Sequence, residues 1–331
     1  MRNKQKFFVC LMVALSSMSI KANSIVDGLG FGMPSYIQQT RSEGSFRIAG
    51  NGTAAKICVD PSDWKGVVRA ANDLGDDVCK VSGLSAKVIS TTSILSSSVI
   101  VGTIGKSKLI DRLVSEKKID VSEIQGKWES FLIQTVDGNL VIAGSDKRGT
   151  IYGIYDVSEK IGVSPWYWWA DVPAGRHEEL YIKKGVYTDG EPAVKYRGIF
   201  INDEWPCMGS WTTERYGGFN SKMYVHVYEL LLRLKANFLW PAMWSAAFYA
   251  DDPMNSPLAD EMGIIIGTSH HEPMARNHQE YARNRKVYGA WNYQTNKDGI
   301  GRFFREGIER MRGKEEVVTI AMRGDGDAPM G

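Results

Sequence analysis

Four short segments in the second half of the chain carry residues that can act on a sugar acid: Asp203 and Glu204; Trp240 and Trp244; His270, His271 and Glu272; and Arg323, Asp325 and Asp327. A guanidinium such as Arg323 can grip a carboxylate through two parallel hydrogen bonds, with histidines supporting it. Carboxylates placed beside the bond can protonate a glycosidic oxygen or activate water. The tryptophans offer flat apolar faces to a pyranose ring. Taken singly, each carboxylate is as compatible with a solvated loop or a helix cap. Their common position, at the end of an apolar run, is what joins them.

Each set follows a stretch that reads as a strand. Tyr196 to Asn202 leads into Asp203, Ala236 to Pro241 contains Trp240, Gly263 to Gly267 precedes the histidines, and Val317 to Met322 precedes Arg323. A helix beginning near Asn220 lies between the first two, with Met223, Val227, Leu230, Leu231 and Leu234 on one face. Near-continuous apolar strands alternating with helices are the pattern of a parallel sheet covered on both faces. In a (β/α)8 barrel, active-site residues sit at the carboxyl ends of such strands. A whole barrel takes roughly 250 residues. The four strands after Lys195 amount to about the first four βα units, so residues 191–331 are expected to form an incomplete (β/α)8 catalytic domain.

Residues 24–190 read as a separate α/β domain. Its expected strands are Phe46 to Ile48, Lys56 to Val59, Val99 to Gly102, Glu129 to Val136 and Leu140 to Ala143, the last two joined as a hairpin at Asp137-Gly138-Asn139. Helices are expected from Trp64 to Leu74 and from Thr150 to Ile161, and a solvated loop from Ser90 to Ser98. The turn Ser145-Asp146-Lys147-Arg148-Gly149-Thr150 lies where a phosphate-binding loop would, but it has neither GKS/GKT nor GxGxxG; Asp146 reads as a helix cap. The run Trp166 to Trp169 is expected to pack a domain junction, or to present an edge to the sugar site.

The composition fits a globular, carbohydrate-handling chain. It is 43% hydrophobic and 24% charged, with 40 basic and 38 acidic residues, so neither nucleic acid nor a charged membrane surface is an expected partner. Residues 1–23 have the form of an export signal: Arg2, Lys4 and Lys6 precede an apolar run from Phe7 to Ile20, with small residues near Ala22. A secreted or periplasmic location follows. Of the four cysteines, Cys10 lies in that segment, Cys58 and Cys79 can pair in an oxidising compartment, and Cys207 is left over. Adjacent histidines do not make the HExxH arrangement, and neither a metal nor another cofactor is expected.

Several stretches together resemble glycoside hydrolase family 115, the xylan α-glucuronidases. They are Lys195 to Glu204, Leu234 to Trp244, Ser269-His270-His271-Glu272-Pro273-Met274 and Met322 to Asp327, with Arg148 to Tyr155 and Ser164 to Trp169 in the leading domain. The resemblance implies an enzyme that removes glucuronic acid, often 4-O-methylated, from xylan by inverting hydrolysis. It implies Asp203 and Asp327 as the acid/base groups, and His270, His271 and Arg323 as uronate-binding groups beside Glu204, Trp240, Trp244 and Asp325. It also implies a further essential Glu on a later barrel strand, so a chain ending at Gly331 is expected to be truncated and inactive alone, with an exposed sheet edge prone to aggregate. Two alternatives stand beside this: a sugar-binding protein without catalysis, and another barrel glycosidase such as a hexosaminidase-like enzyme.

Overall fold

The computed structural model describes residues 35–202 and 205–320. In chain order the strands up to residue 190 are β1 (Ile37–Gln38), β2 (Phe46–Gly50), β3 (Thr53–Ala54), β4 (Lys56–Val59), β5 (Val88–Ser90), β6 (Ser98–Thr103), β7 (Phe131–Val136), β8 (Asn139–Gly144), β9 (Leu180–Ile182) and β10 (Val186–Tyr187). They form a small antiparallel sheet in the order β1-β9-β2-β3 and a six-stranded sheet in the order β10-β7-β8-β6-β4-β5. In the larger sheet β8, β6, β4 and β5 run parallel, and β7 runs antiparallel to both of its neighbours, β8 and β10. Every residue of β6 and β8 is buried, as a central strand covered on both faces requires.

Three helices cover that sheet. α1 (Lys65–Ser82) buries Val67, Ala70, Ala71, Leu74, Val78 and Val81, a helical stripe, and stops at Gly83, whose left-handed φ of 77° lets its N–H reach Cys79 O at 2.8 Å. α2 (Lys108–Ser115) packs Leu109, Ile110 and Leu113 against Cys58, Ile100 and Val141. α3 (Lys147–Lys160) begins at Asp146, whose carboxylate accepts the Gly149 N–H at 2.7 Å. The expected hairpin is present, with Asp137 at φ 48° and Gly138 at φ 76°, the left-handed pair that a type I′ turn demands. Cys58 and Cys79 do not pair: Cys58 is buried in β4 facing α2, Cys79 is exposed on α1, and both are free, as is Cys207.

Beyond residue 190 a second parallel sheet runs β11 (Gly198–Phe200), β12 (Phe238–Trp240), β13 (Ile265–Gly267) and β14 (Glu316–Val317), paired in chain order. Helices lie in every crossover. α4 (Cys207–Tyr216) and α5 (Ser221–Arg233) join β11 to β12, and α6 (Phe248–Asp251) and α7 (Asn255–Met262) join β12 to β13. α8 (His278–Arg283), α9 (Arg285–Tyr288) and α10 (Lys297–Met311) lead to β14. The Asn220 side chain caps α5 by accepting the Lys222 N–H.

Two readings need correction. Leu234 is 44% exposed, because α5 ends one residue before it. β11 is not buried on both faces: Ile199 and Phe200 are 44% and 42% exposed, since β11 has a neighbour on one side only among the described strands. Within the described residues no helix is long and apolar enough to cross a membrane. The export-signal reading of residues 1–23 lies outside the described residues.

The leading sheet is joined to the amino ends of this second sheet through one buried carboxylate. Glu129 is 1% exposed and has a left-handed φ of 51°. Its Oε1 accepts from Arg148 Nε at 2.5 Å and Asn237 Nδ2 at 2.7 Å, and its Oε2 from Arg197 Nη2 at 2.5 Å. Arg148 donates onward to Glu315 Oε2 at 2.9 Å and Gly263 O at 3.3 Å. Arg197, Asn237, Gly263 and Glu315 lie just before β11, β12, β13 and β14.

A second seam lies along α1, α3 and α5. Arg233 donates to Asp77 Oδ2 and to Glu229 Oε1, each at 2.8 Å, and lies over the rings of Tyr155 and Tyr167. The aromatic run packs here: Trp168 stacks on His226 with centroids 3.9 Å apart, Trp169 Nε1 donates to His226 O, and Tyr167 donates to Glu229. It is therefore the junction and not a wall of the strand-end site.

At the same seam, burial and then the charge of Glu229 push the Asp73 carboxyl up to about 6, against the hydrogen bond it accepts from Tyr155 at 2.6 Å. An unfolded Asp73 titrates near 3.8. The folded chain thus holds this proton through a pH window in which the unfolded chain has released it. The stability it contributes is complete below 3.8 and is lost as pH rises toward and through about 6. Asp73→Asn is expected to stabilise the chain at pH 7.5 by about 2 kcal/mol, and to make no difference near pH 3.5. Urea unfolding at both pH values checks this; equal midpoints at pH 7.5 would refute it.

Candidate functional site

At the carboxyl end of β12 the chain turns through Pro241, Ala242 and Met243 to Trp244, which is 39% exposed. Its ring centroid lies 4.8 Å from that of His271, and His271 lies 4.2 Å from His270. These three side chains come from the tips of adjacent strands, β12 and β13, as the strand-end reading requires. Trp240 sits one step lower, in β12 itself. It meets Phe200 edge-on at 5.6 Å and crosses Gly267, where a Cβ would lie 2.6 Å from Trp240 Nε1 and 2.4 Å from Phe238 Cζ. Only a residue without a side chain lets both rings lie across β13.

The histidine loop is held from beneath. Thr268 Oγ1 donates to Glu272 O at 2.7 Å, Glu272 N to Ser269 O at 2.9 Å, and Asn277 Nδ2 to Glu272 Oε1 at 2.7 Å. Glu272 is 1% exposed and braces the loop. The next turn is tight: Met274 and Ala275 have φ of 55° and 56°, and Met274 O approaches α10 where a Cβ on Gly307 would be 2.1 Å away. The turn holds its strained backbone because α10 packs directly on it.

A cavity of ≈ 380 Å³ opens beside Trp244, between the loop after β11 and the loop after β12. Trp205, Phe219, Asn220, Ser245 and Asp251 line it with Trp244. Trp205 is 54% exposed and folds its indole over Gly209. Trp205 is not one of the residues singled out from the sequence, although its place directly after Asp203-Glu204, beyond β11, is the signal that marks it. Asp251 is used locally, accepting from Ala247 N at 2.7 Å and pairing with Arg283. A larger cavity, ≈ 470 Å³, lies instead on the small antiparallel sheet, around Arg41, Arg47 and Tyr181.

The structure therefore brings together Trp244, His270 and His271, with Trp205 and a hollow beside them and Trp240 set deeper. The two indole rings lining the hollow can stack on a sugar ring, and the imidazoles next to Trp244 can hydrogen-bond to sugar oxygens there. Asp203, Glu204, Arg323, Asp325 and Asp327 lie outside the described residues. Among the described residues no group of His, Cys, Asp and Glu is arranged to hold a metal ion.

Comparison with known proteins bears on this site. Residues 189–331 match the model of glycosyl hydrolase family 115. Among solved structures, the chain is similar to a family 115 4-O-methyl-α-glucuronidase with specificity for decorated arabinogalactans, at 36% identity and a TM-score of 0.77, over 86% of this chain and 37% of that one. It is also similar to the chitobiase of Flavobacterium johnsoniae, at 10% identity and TM-score 0.49, over 89% of this chain and 44% of that one. A β-hexosaminidase from Streptomyces plicatus matches at 12% identity and TM-score 0.40, over 71% of this chain and 44% of that one. Neither of these two likenesses informs on substrate. No curated protein matches the chain. Its match to the family model and its likeness to the α-glucuronidase together place this chain in glycosyl hydrolase family 115.

Proposed function

We propose that this chain is part of an exported glycoside hydrolase that removes glucuronic acid, plain or 4-O-methylated, from a branched polysaccharide by inverting hydrolysis. The observation that carries the reading is the 36% identity to a 4-O-methyl-α-glucuronidase across 86% of the chain. The cluster of Trp244, His270 and His271 at adjacent strand tips supports it. In this reading residues 191–331 open a (β/α)8 barrel after an α/β domain of residues 24–190, and residues 1–23 direct export. The hexosaminidase-like alternative is not favoured, since the family model and the 36% identity both point to family 115.

The chemistry follows from the residue types. An inverting hydrolase sets an acid and a base on opposite faces of the sugar, roughly 6.5–9.5 Å apart, leaving room for water. Asp203 and Asp327 are assigned to this acid/base work. Arg323, with the histidines, is assigned to the uronate carboxylate, and Glu204 and Asp325 to its neighbouring hydroxyls. Trp244 and Trp240 are assigned to the apolar faces of the glycan. Xylan is one candidate backbone, and the relative's arabinogalactan is another.

The test is uronic acid release, by the hydrolase of which this chain is part, from 4-O-methylglucuronoxylan and from decorated arabinogalactan, with the anomer first released read by NMR. Trp244→Ala and His271→Ala are each expected to lower kcat/KM by about tenfold or more, ~1.4 kcal/mol of transition-state stabilisation. Release of N-acetylhexosamine from chitobiose, with no uronic acid from either polymer, would overturn the assignment.

A further inference from the structure

In the six-stranded sheet the crossovers leave the neighbouring strands β4 and β6 in opposite senses. α1, after β4, lies on the face of Ile57 and leads to β5 on one side; α2, after β6, packs on the Cys58 and Ile100 face and leads toward β7 and β8 on the other. A sheet wound this way leaves a crevice beyond the carboxyl ends of those two strands, the position at which open α/β sheets bind ligands. Here the crevice is real. A cavity of ≈ 350 Å³ opens there, lined by Trp64 after β4, Thr103 and Lys106 at the end of β6, and Ser145 to Arg148 after β8.

Its lining has an uncommon composition. Two indoles, Trp64 and Trp128, stand with three cations, Lys106, Lys147 and Arg148, and two anions, Asp146 and Glu315. The balance is one positive charge. Arg148 is spent on Glu129 and Glu315, and Asp60 and Asp63 are spent on the backbone N–H groups of Lys108 and Thr103. Lys106 is different: its ammonium lies 4.2 Å from the Trp64 ring centre and, among the described residues, pairs with no carboxylate. Lys147 also lies over Trp64, at 5.6 Å; one of its three N–H groups donates to Asp260 O at 2.5 Å, and burial lowers its pKa against the opposing charge of Asp260. The indole N–H of Trp128 is buried and meets no acceptor among the described residues, a group whose burial costs about 1–3 kcal/mol when nothing accepts it.

We propose that this cavity is a second binding site, separate from the strand-end site, for a small monoanionic sugar of the hexuronate class. The single surplus charge suits one carboxylate, met by Lys106 and Lys147. The Trp64 indole, 39% exposed, suits the apolar face of a pyranose ring; the Trp128 ring is covered by Arg148 and Lys195, and its N–H is what remains for a sugar oxygen. A phosphate dianion is the poorer fit. The α3 N–H that would bind it, that of Gly149, is already taken by the Asp146 carboxylate, which would also repel it.

The test is calorimetric titration of the full chain with D-glucuronate, with D-glucose and inorganic phosphate for comparison. Two classes of glucuronate site are expected in the parent. Trp244→Ala should leave one, and adding Lys106→Ala, at a solvent-exposed position, should weaken that one by about tenfold or more. Loss of all saturable binding in Trp244→Ala, or a remaining affinity within about twofold after Lys106→Ala, would overturn this proposal and leave the strand-end site standing. Binding that ignores Trp244→Ala but is lost with Lys106→Ala would support the cavity and count against the strand-end assignment. Phosphate or glucose binding as tightly as glucuronate would overturn the sugar-acid class.

Discussion

Glu129→Ala is expected to destabilise the chain by about 3–5 kcal/mol, the cost of leaving buried charge without its partner. The carboxylate is the common acceptor for Arg148, Arg197 and Asn237, and the Arg148 side chain is only 8% exposed. Its removal leaves two largely buried guanidiniums without their shared acceptor, Arg148 keeping only the half-exposed Glu315. Glu129→Gln should fall between, because its amide oxygen still accepts while its amide nitrogen meets a donor. In thermal unfolding the Ala variant should melt roughly 10 °C lower. A shift under about 2 °C would show that the two sheets are held together by something else. The effect should reach the strand-end site, since Arg197, Asn237 and Glu315 lie just before three of its strands.

The second large effect is at Arg233. Burial opposes its charge, but Asp77 beside it outweighs that and holds the guanidinium above its ordinary pKa. Asp77 has no exposed side-chain surface and Arg233 has 3%. Arg233→Ala should cost about 3 kcal/mol, because it leaves the buried Asp77 carboxylate with Lys80 alone, at 2.7 Å, and empties the space between Tyr155 and Tyr167. The pair Arg233→Met with Asp77→Leu should cost less than Arg233→Ala alone, since it removes both of the most buried charges and leaves Lys80, which reaches solvent, and Glu229, to which Tyr167 still donates. Denaturant midpoints of the two single variants and the double variant check this. A double variant that costs as much as the sum of its parts would mean the ion pair is not the element that matters.

Much of the fold is legible from local pattern. β4 occupies Lys56 to Val59 as its apolar run implies, and the hairpin forms where Asp137-Gly138 supplies two residues able to take positive φ. Asp146 and Asn220 cap the helices they precede, since a short polar side chain before an apolar stripe has one economical use. The places of Trp244, His270 and His271 are legible for the same reason: each follows an apolar run, and the direction of a parallel strand then decides the edge on which it emerges.

What pattern leaves undecided is what each polar residue spends itself on. Glu272 and His271 are neighbours in sequence and equal in chemical promise, yet Glu272 is turned inward to Asn277 while His271 stands against Trp244. Cys58 and Cys79 are spaced for pairing, but one faces the core beneath α2 and the other faces solvent. Glu129 lies at the start of an expected strand with nothing to mark it, and only the meeting of two sheets makes it the acceptor for groups far apart in the chain. Local sequence sets backbone geometry through sterics, hydrogen-bonding range and the periodicity of apolar burial, all of which act within a few residues. Which charges are buried, paired or left to face a ligand depends on groups brought together from distant segments, so the tertiary structure alone decides it.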